Sequence, residues 1–172
     1  MAIRAVAAAL AACLLSAPPA LAAPVPGVTD TEITIGITGP LSGPAAAWGT
    51  IALASEAYAR HVNDQGGVHG RKLRLIALDD GYEPERTRQV MLELLDQRKV
   101  FAIVGNVGSP TAEATIPLVM GKKVVFFGAL SGAPLLRKNP PDRYVFAYRP
   151  SYAEETAAAV RYLVDVRRID PR

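Results

Sequence analysis

The chain has 172 residues, half of them hydrophobic and 20% charged, which is typical of a soluble globular protein with room for one domain and not for two. Its formal net charge of +3 comes from interspersed acidic and basic residues, so the sequence gives no reason to expect a nucleic-acid partner. Cys13 is the single cysteine and lies near the amino terminus. Thiol catalysis, disulfides and thiolate–metal sites are therefore excluded from the rest of the chain.

The amino-terminal residues have the pattern of a secretory signal peptide. Arg4 provides the positive start, residues 5–15 are apolar, and small residues follow around a cleavage point. Pro18 interrupts the apolar run before it reaches the roughly 20 residues that a transmembrane helix needs. We therefore predict that residues 1–23 direct export to the periplasm. An alternative interpretation makes Cys13 the lipid-bearing first residue of a lipoprotein.

The rest of the chain alternates between predicted strands and helices. Alternating or continuous apolar residues predict strands, whereas apolar steps of three and four predict helices. In chain order, the sequence predicts a strand at 33–37, a helix at 45–63, a strand at 72–78, a helix at 84–95, a strand at 100–104, a helix at 109–120, a strand at 124–127, a further strand at 144–148 and a helix at 154–166. Pro117 is expected to bend or shorten the third helix. This alternation predicts an α/β fold with three αβα layers around a parallel sheet.

Three of the predicted turns combine glycine with serine. Ser42, Ser109 and Ser131 follow the first, third and fourth strands. Ligands bind at the carboxyl edge of an open parallel sheet, where glycine lets the backbone approach them and hydroxyl groups hydrogen-bond to them. Adjacent turns of this kind predict a cleft for the polar end of a small molecule, with Trp48 as one wall. The alternative is that these residues are ordinary loop and helix-cap residues.

Sequence motifs for enzymatic chemistry are absent. No serine lies in a G-x-S-x-G elbow, and the chain has no G-x-x-x-x-G-K-[ST] phosphate-binding loop. His61 and His69 have neither a reason to meet a serine nor an acidic cluster that would complete a metal site. Asp79 and Asp80 close the second strand, where a dinucleotide-binding fold places its ribose-binding acid, but a hydrogen-bonded turn explains them as well. We predict no catalytic residue, metal or cofactor, and an α/β nucleotide-binding enzyme domain is the alternative.

Several segments together resemble the type I periplasmic binding proteins of the leucine/isoleucine/valine-binding family, which deliver solutes to ABC transporters. The matching segments are ITIG at 33–36, GPLSGP at 39–44, VNDQGGVHGRKL at 62–73, DDGYEP at 79–84, GNVGSPT at 105–111 and RPSY at 149–152. The resemblance implies the amino-terminal α/β lobe of a protein whose two lobes close around a solute. It also implies a periplasmic location and a transporter permease as the partner. A ligand-sensing receptor domain built on the same lobe is a further alternative.

The resemblance also implies which residues contact the solute. Gly108 and Ser109 fall where the family's first lobe holds the carboxylate of an amino acid, and Trp48 falls where an aromatic residue packs on the ligand. The segment 130–132 falls where the ammonium group binds. Gly132 occupies a position where the amino-acid binders usually have a hydroxyl residue, so either Ser131 compensates for the missing hydroxyl or the solute lacks an amine. The resemblance thus implies an amino acid or a related small organic anion as the solute. The predicted ligand-binding residues are Trp48, Gly108, Ser109, Leu130, Ser131, Gly132 and Tyr152.

Family members continue beyond the length of this chain to build their second lobe. We therefore predict that residues 24–150 form the first lobe and that residues 151–172 begin an incomplete second lobe. We expect the polypeptide alone to bind its solute weakly or not at all, because half of the contacts and the closure of the lobes would be missing.

Overall fold

Five parallel strands form the centre of the fold in the computed structural model, which describes residues 24–170. The strands are β1 (Glu32–Gly39), β2 (Lys72–Asp79), β3 (Ala102–Val104), β4 (Val125–Phe127) and β5 (Val145–Phe146). Their order across the sheet is β2-β1-β3-β4-β5, and every neighbouring pair is parallel. The predicted α/β fold with a parallel sheet is confirmed. The predicted signal peptide and Cys13 lie outside the described residues.

The described residues form four α-helices. They are α1 (Thr50–Asp64), α2 (Pro84–Leu92), α3 (Ser109–Lys122) and α4 (Tyr152–Arg161). Two of them continue into π-helical turns, at Glu93–Gln97 after α2 and at Tyr162–Val166 after α4. Short 3-10 turns occur at Ala46–Gly49 and Pro134–Leu136. Between residues 24 and 170, none of these helices has both the length and the apolar character that crossing a membrane requires.

The main hydrophobic core lies between one face of the sheet and the layer formed by α2 and α3. Successive side chains of a strand point to opposite faces, so every second residue contributes to this layer. Ile103 on β3, Phe126 on β4 and Val145 on β5 are register neighbours, and all are buried. Met91 and Leu94 are fully buried in the same cluster. Each such side chain stabilises the fold by about 1.5–3 kcal/mol.

The opposite face of the sheet is covered unevenly. α1 packs on β1 and β2, and an apolar cavity of about 400 Å³ lies between this helix and the sheet. Val104, at the edge of that cavity, is the register neighbour of Phe127, which in turn neighbours Phe146. The two phenylalanines are 46% and 49% exposed. The half of this face formed by β4 and β5 therefore presents apolar side chains to solvent.

The start of the first helix differs from the prediction of 45–63. α1 begins at Thr50, because Ala46–Gly49 adopt the tighter 3-10 conformation. Trp48, which the predicted helix included, therefore precedes α1. Trp48 is 57% exposed and lies between the first strand and the helix.

Pro117 does not shorten the third helix. α3 runs through it and ends at Lys122. Lys123 adopts a left-handed conformation with φ of 58° and donates its N–H to the Met120 carbonyl oxygen, which ends the helix. A proline inside a helix removes one backbone hydrogen bond. The side chains of Ile116 and Val119, on either side of Pro117, are buried and hold the helix on the core despite this loss.

α4 has a capping box at its start. The Ser151 hydroxyl oxygen accepts a hydrogen bond from the Glu154 N–H at 3.2 Å, and the Glu154 carboxylate accepts one from the Ser151 N–H at 2.7 Å. No residue of this helix is buried within the described structure. Its apolar side chains and those of the turn after it are 43–65% exposed: Val160, Tyr162, Leu163 and Val166. The last helix therefore does not complete the core of the sheet.

Candidate functional site

The turns after β3 and β4 meet at the carboxyl edge of the sheet. Val107 and Leu130 form a parallel bridge there, and the Gly108 N–H points to the Leu130 carbonyl oxygen at 3.4 Å. The hydroxyl oxygens of Ser109 and Ser131 are 2.7 Å apart. The parallel order places both strand ends at one rim, so the convergence follows from the topology.

A cavity of about 270 Å³ lies above these turns. Four of its lining residues were predicted as ligand contacts, namely Trp48, Gly108, Leu130 and Tyr152. Its full lining is Ala45, Trp48, Tyr82, Val107, Gly108, Leu130, Arg149 and Tyr152. The cavity thus combines aromatic walls with a backbone floor, which is the usual make-up of a small-molecule site. The binding role of these residues stays a prediction.

Ser109, Ser131 and Tyr152 form a row of hydroxyl groups at the side of this cavity. Ser131 is fully buried, and its hydroxyl oxygen accepts a hydrogen bond of 3.1 Å from the Ala133 N–H. The Ser109 hydroxyl lies 2.7 Å from that of Ser131 and 3.4 Å from that of Tyr152. Hydrogen bonds from Ser109 and then Ser131 hold the pKa of Tyr152 below its ordinary value. Ser131 therefore lies behind the cavity and contacts Ser109, and its binding role stays a prediction.

Gly132 lies behind Tyr152 and does not line the cavity. A Cβ atom at this position would be 2.7 Å from both the Tyr152 backbone nitrogen and its ring Cδ1. Real Cβ atoms do not approach other heavy atoms that closely. The missing side chain therefore allows the start of α4 to lie against the β4 turn, where the Tyr152 N–H donates to the Gly132 carbonyl oxygen at 3.0 Å.

Arg149 is a cavity residue that the sequence analysis did not select. Its guanidinium donates two hydrogen bonds to the Glu155 carboxylate, at 2.7 and 2.8 Å. This pairing raises the pKa of Arg149 and lowers that of Glu155. The guanidinium carbon also lies 5.3 Å from the centre of the Tyr152 ring, within the range of a cation–π contact. Arg149 therefore contacts both Glu155 and the ring of Tyr152 at the cavity.

Tyr82 is the second residue missed from the sequence. It has a left-handed φ of 65°, and its ring lies over Gly108, where an added Cβ would be 2.4 Å from ring carbon Cε2. Tyr82 and Arg149 each come three residues after the end of a strand, β2 and β5 respectively, at the carboxyl edge of the sheet. That position, together with a large side chain, is the signal that could have identified them.

Ser42, the third of the predicted turn serines, holds the turn and does not line the cavity. The Asp79 carboxylate accepts hydrogen bonds from the Ser42 hydroxyl at 2.5 Å and from the Leu41 and Ser42 N–H groups at 2.8 and 3.1 Å. It also pairs with Arg86 at 2.6 Å. The hydrogen bond from the Ser42 hydroxyl, followed by those from the Gly81, Leu41 and Ser42 N–H groups, lowers the pKa of Asp79 to about 2. Asp79 thus forms a hydrogen-bonded turn that joins the ends of β1 and β2.

Buried polar groups support the floor of the cavity. Asp80 is fully buried and accepts a hydrogen bond of 2.9 Å from the Tyr82 N–H, while its burial raises its pKa. The Asn106 side-chain amide donates to the Thr38 hydroxyl oxygen at 2.7 Å, which connects the ends of β3 and β1. The other carboxylate oxygen of Asp80, Oδ2, is buried without a hydrogen-bond partner, so burial outweighs the single bond from Tyr82.

The described part of the chain contains no group of three or more histidine, cysteine, aspartate or glutamate residues that could hold a metal ion. His61 hydrogen-bonds to the Gln65 side chain at 3.0 Å on the surface of α1. His61 is exposed and does not line the cavity.

Comparison with known proteins gives a consistent result. A family model described as periplasmic binding protein matches residues 32–170. A possible leucine/isoleucine/valine-binding protein from Rhodopirellula baltica SH 1 is 44% identical with a TM-score of 0.72, over 84% of this chain and 38% of that one. A fatty acid ABC transporter substrate-binding protein from Thermomonospora curvata is 29% identical with a TM-score of 0.76, over 88% of this chain and 38% of that one.

A curated amino acid binding protein from Pseudomonas aeruginosa is 38% identical over 88 residues, which is 50% of this chain and 22% of that protein. The chain therefore spans less than two fifths of the length of each of these relatives.

Proposed function

Because the chain belongs to the periplasmic binding protein family, we propose that it is the extracytoplasmic solute-binding component of an ABC transporter of the branched-chain amino-acid type. The observation that carries this proposal is the meeting of the β3 and β4 turns beneath Trp48, Tyr82 and Tyr152 at one edge of the sheet. A backbone floor with aromatic walls is suited to reversible binding of a small organic molecule. The transporter permease is the proposed partner, and the chain binds its solute without transforming it.

The solute class is proposed from the same cavity. Relatives include proteins named as binding leucine, isoleucine and valine, fatty acids, and amino acids. These ligands share a carboxylate beside an apolar body. The hydroxyl groups of Ser109 and Tyr152 suit the carboxylate, and Trp48 and Leu130 suit the apolar part.

The cavity of the described residues has walls on one side only. Trp48 is 57% exposed and Tyr152 is 44% exposed, although both line the site. Contacts made on one side of a ligand leave most of its surface in water, so the binding free energy stays small. We therefore propose weak binding by this polypeptide on its own, with dissociation constants in the millimolar range.

A second wall is proposed to come from another α/β lobe. In this proposal residues 24–150 form the first lobe, and the segment from Ser151 contributes to the second. The exposed apolar side chains of α4 and its following turn support it, because a helix with such a face normally packs against another element. The predicted leader at residues 1–23 would deliver the protein to the periplasm.

Nuclear magnetic resonance titration tests the binding proposal. Trp48 is the only tryptophan of the chain, so its indole N–H gives one assignable signal at the cavity. Small carboxylates and amino acids should shift this signal and the Gly108 amide while leaving α1 signals such as Tyr58 unchanged. Shifts that map elsewhere, or no shift at the cavity at millimolar ligand, would refute it.

A further inference from the structure

We propose that the amino-terminal edge of the sheet is a docking surface for an anionic lipid bilayer. The surface consists of an apolar recess at the starts of β3 and β4, which we call the amino-edge recess, and of the lysines around it. It lies apart from the solute cavity and does not depend on what that cavity binds. Three observations carry the proposal: the make-up of the recess, the chain segment held against it, and the charges beside it.

The amino-edge recess has a volume of about 300 Å³. Its lining comes from three segments, residues 25–26, 100–101 and 122–125, and is apolar except for Lys122 and Lys123. Val25 and Phe101 are 51% and 42% exposed. This edge therefore presents apolar side chains and cations together, which is the combination that binds the interface of an anionic bilayer.

The segment that contains Val25 is fixed at this edge by Gly27. This glycine has a φ of 71°, and a Cβ there would lie 2.2 Å from the Phe101 backbone nitrogen. Its carbonyl oxygen accepts a hydrogen bond of 2.7 Å from the Thr34 N–H. Residues 1–23, the predicted export leader, immediately precede this segment. A leader inserted in a membrane would therefore hold this edge of the fold next to the lipid headgroups.

The charges at this edge leave two cations without an acidic partner. Asp96 is paired with Lys122 at 2.5 Å. Lys99, which directly precedes the recess residue Val100, is exposed, as is Lys123. Neither of these two lysines forms an ion pair with any residue between 24 and 170. Anionic headgroups would supply the missing partners, and each lysine near such a surface strengthens binding about fivefold.

The position of the lysines at helix ends explains only part of this arrangement. Lys99 and Lys123 have left-handed φ values of 50° and 58°, which glycine adopts at less cost. The carbonyl groups at a helix end attract a cation, so they favour a lysine there. They do not favour the exposed Val25 and Phe101 beside it. Contact with a bilayer accounts for the cations and the apolar side chains together.

The solute cavity lies at the other end of the same two strands. The recess residues precede β3 and β4, whereas Val107, Gly108 and Leu130 follow these strands and line the cavity. A chain docked through the recess therefore keeps its cavity open to the solution. Trp48, which lines the cavity, should stay away from the lipid.

Vesicle sedimentation tests the binding and its dependence on charge. The sample is the chain from residue 24 onward, which contains the whole described fold without the predicted leader. We expect its partition coefficient at low salt to be about thirtyfold higher for phosphatidylglycerol vesicles than for phosphatidylcholine vesicles. The difference should disappear at about 0.5–1 M salt, because salt screens the exposed charges.

Two matched double variants locate the charges. Lys99→Gln/Lys123→Gln should lower the partition coefficient for anionic vesicles about thirtyfold. Arg161→Gln/Arg167→Gln removes the same charge from exposed positions on α4 and after it, and should change the coefficient by less than about threefold.

Fluorescence quenching by lipids with brominated acyl chains tests the orientation. Trp48 is the only tryptophan of the chain, so its emission reports on the cavity edge and should not be quenched. In the variant Trp48→Phe/Phe101→Trp the single indole lies at the recess, and its emission should be quenched on binding anionic vesicles.

Three results would overturn the proposal. Equal partitioning to neutral and anionic vesicles would show that the lysines have no role. A loss in the arginine variant as large as in the lysine variant would place the contact on α4, and quenching of Trp48 in the native chain would place it at the cavity edge. These measurements do not involve the solute, so any of these results would leave the proposed solute-binding function intact.

Discussion

The Asp79 carboxylate accepts a 2.5 Å hydrogen bond from the Ser42 hydroxyl, and this contact joins the turn after β1 to the turn after β2. The two residues are 37 positions apart in the sequence. Because the β1 turn leads directly to Trp48, the position of the cavity's first wall depends on this contact. Ser42 and Asp79 thus have a structural role beside the cavity and do not line it.

Removing the Asp79 charge should destabilise the chain. The pKa of this group is lowered to about 2 from 3.8, so its contribution is present above pH 3.8 and is lost as the pH falls towards 2. We expect Asp79→Asn to lower the free energy of unfolding by about 1–2 kcal/mol at neutral pH, after allowance for solvent screening. Urea unfolding across this pH range measures it. The exposed Asp96→Asn is the control, and an equal loss at neutral pH and near pH 2 would contradict the prediction.

The neighbouring Asp80 should behave in the opposite way. Its burial raises its pKa above the ordinary value of 3.8. Just above pH 3.8, the folded chain therefore keeps the proton on this carboxyl group, whereas the unfolded chain has mostly lost it. Stability associated with this group is therefore present at low pH and decreases as the pH rises above 3.8. Asp80→Asn keeps an oxygen that accepts from the Tyr82 N–H and removes the ionisation. We expect the variant to be about 1 kcal/mol more stable at neutral pH and equal to the native chain at low pH.

Unfolding curves of the two chains at several pH values measure this difference. A variant that is less stable than the native chain at every pH would show that the Asp80 carboxylate makes contacts that an amide cannot replace.

Much of the fold could be predicted from the sequence because its signals are local. The alternation of Ile33, Ile35 and Ile37, the proline at position 84 and the capping box at Ser151 each specify an element within a few residues. The parallel order of the sheet follows from the alternation of strands and helices. Strand ends were overestimated by one or two residues, since β3 and β5 pair over only three and two residues.

The candidate site was less predictable because it depends on contacts between distant residues. The sequence indicated that Ser109 and Ser131 would meet, and their hydroxyls are 2.7 Å apart. It did not indicate that Ser42 turns towards Asp79, because only the sheet order makes β2 the neighbour of β1. The position of Arg149 depends on its pairing with Glu155 on α4, which no local pattern contains.

Gly108 should be more sensitive to substitution than another glycine with a positive φ. It has a φ of 103°, and a Cβ there would lie 2.4 Å from the Tyr82 ring. Gly70 has a φ of 78°, but a Cβ there would meet nothing within 4 Å. Both Ala variants bear the strain of a left-handed backbone, roughly 1–2 kcal/mol, and Gly108→Ala adds the displacement of Tyr82.

We therefore expect Gly108→Ala to lose about 1 kcal/mol or more of unfolding free energy beyond the loss in Gly70→Ala. Chemical denaturation measures both variants. Equal losses would mean that the Tyr82 ring moves away without cost, so that it does not form a fixed wall of the cavity.

The exposed phenylalanines on the sheet should cause this polypeptide to self-associate. Phe127 and Phe146 are register neighbours on β4 and β5, and about half of each is exposed. Apolar surface of this kind associates in water because association buries it, at about 25 cal/mol per Å². Replacing both residues with serine should shift the sedimentation coefficient towards the monomer value and lower the binding of a hydrophobic dye. Leu53→Ser, on the exposed side of α1, is the control and should have little effect. Unchanged association in the double variant would place the contact elsewhere, with the exposed apolar side chains of α4 as the next surface to test.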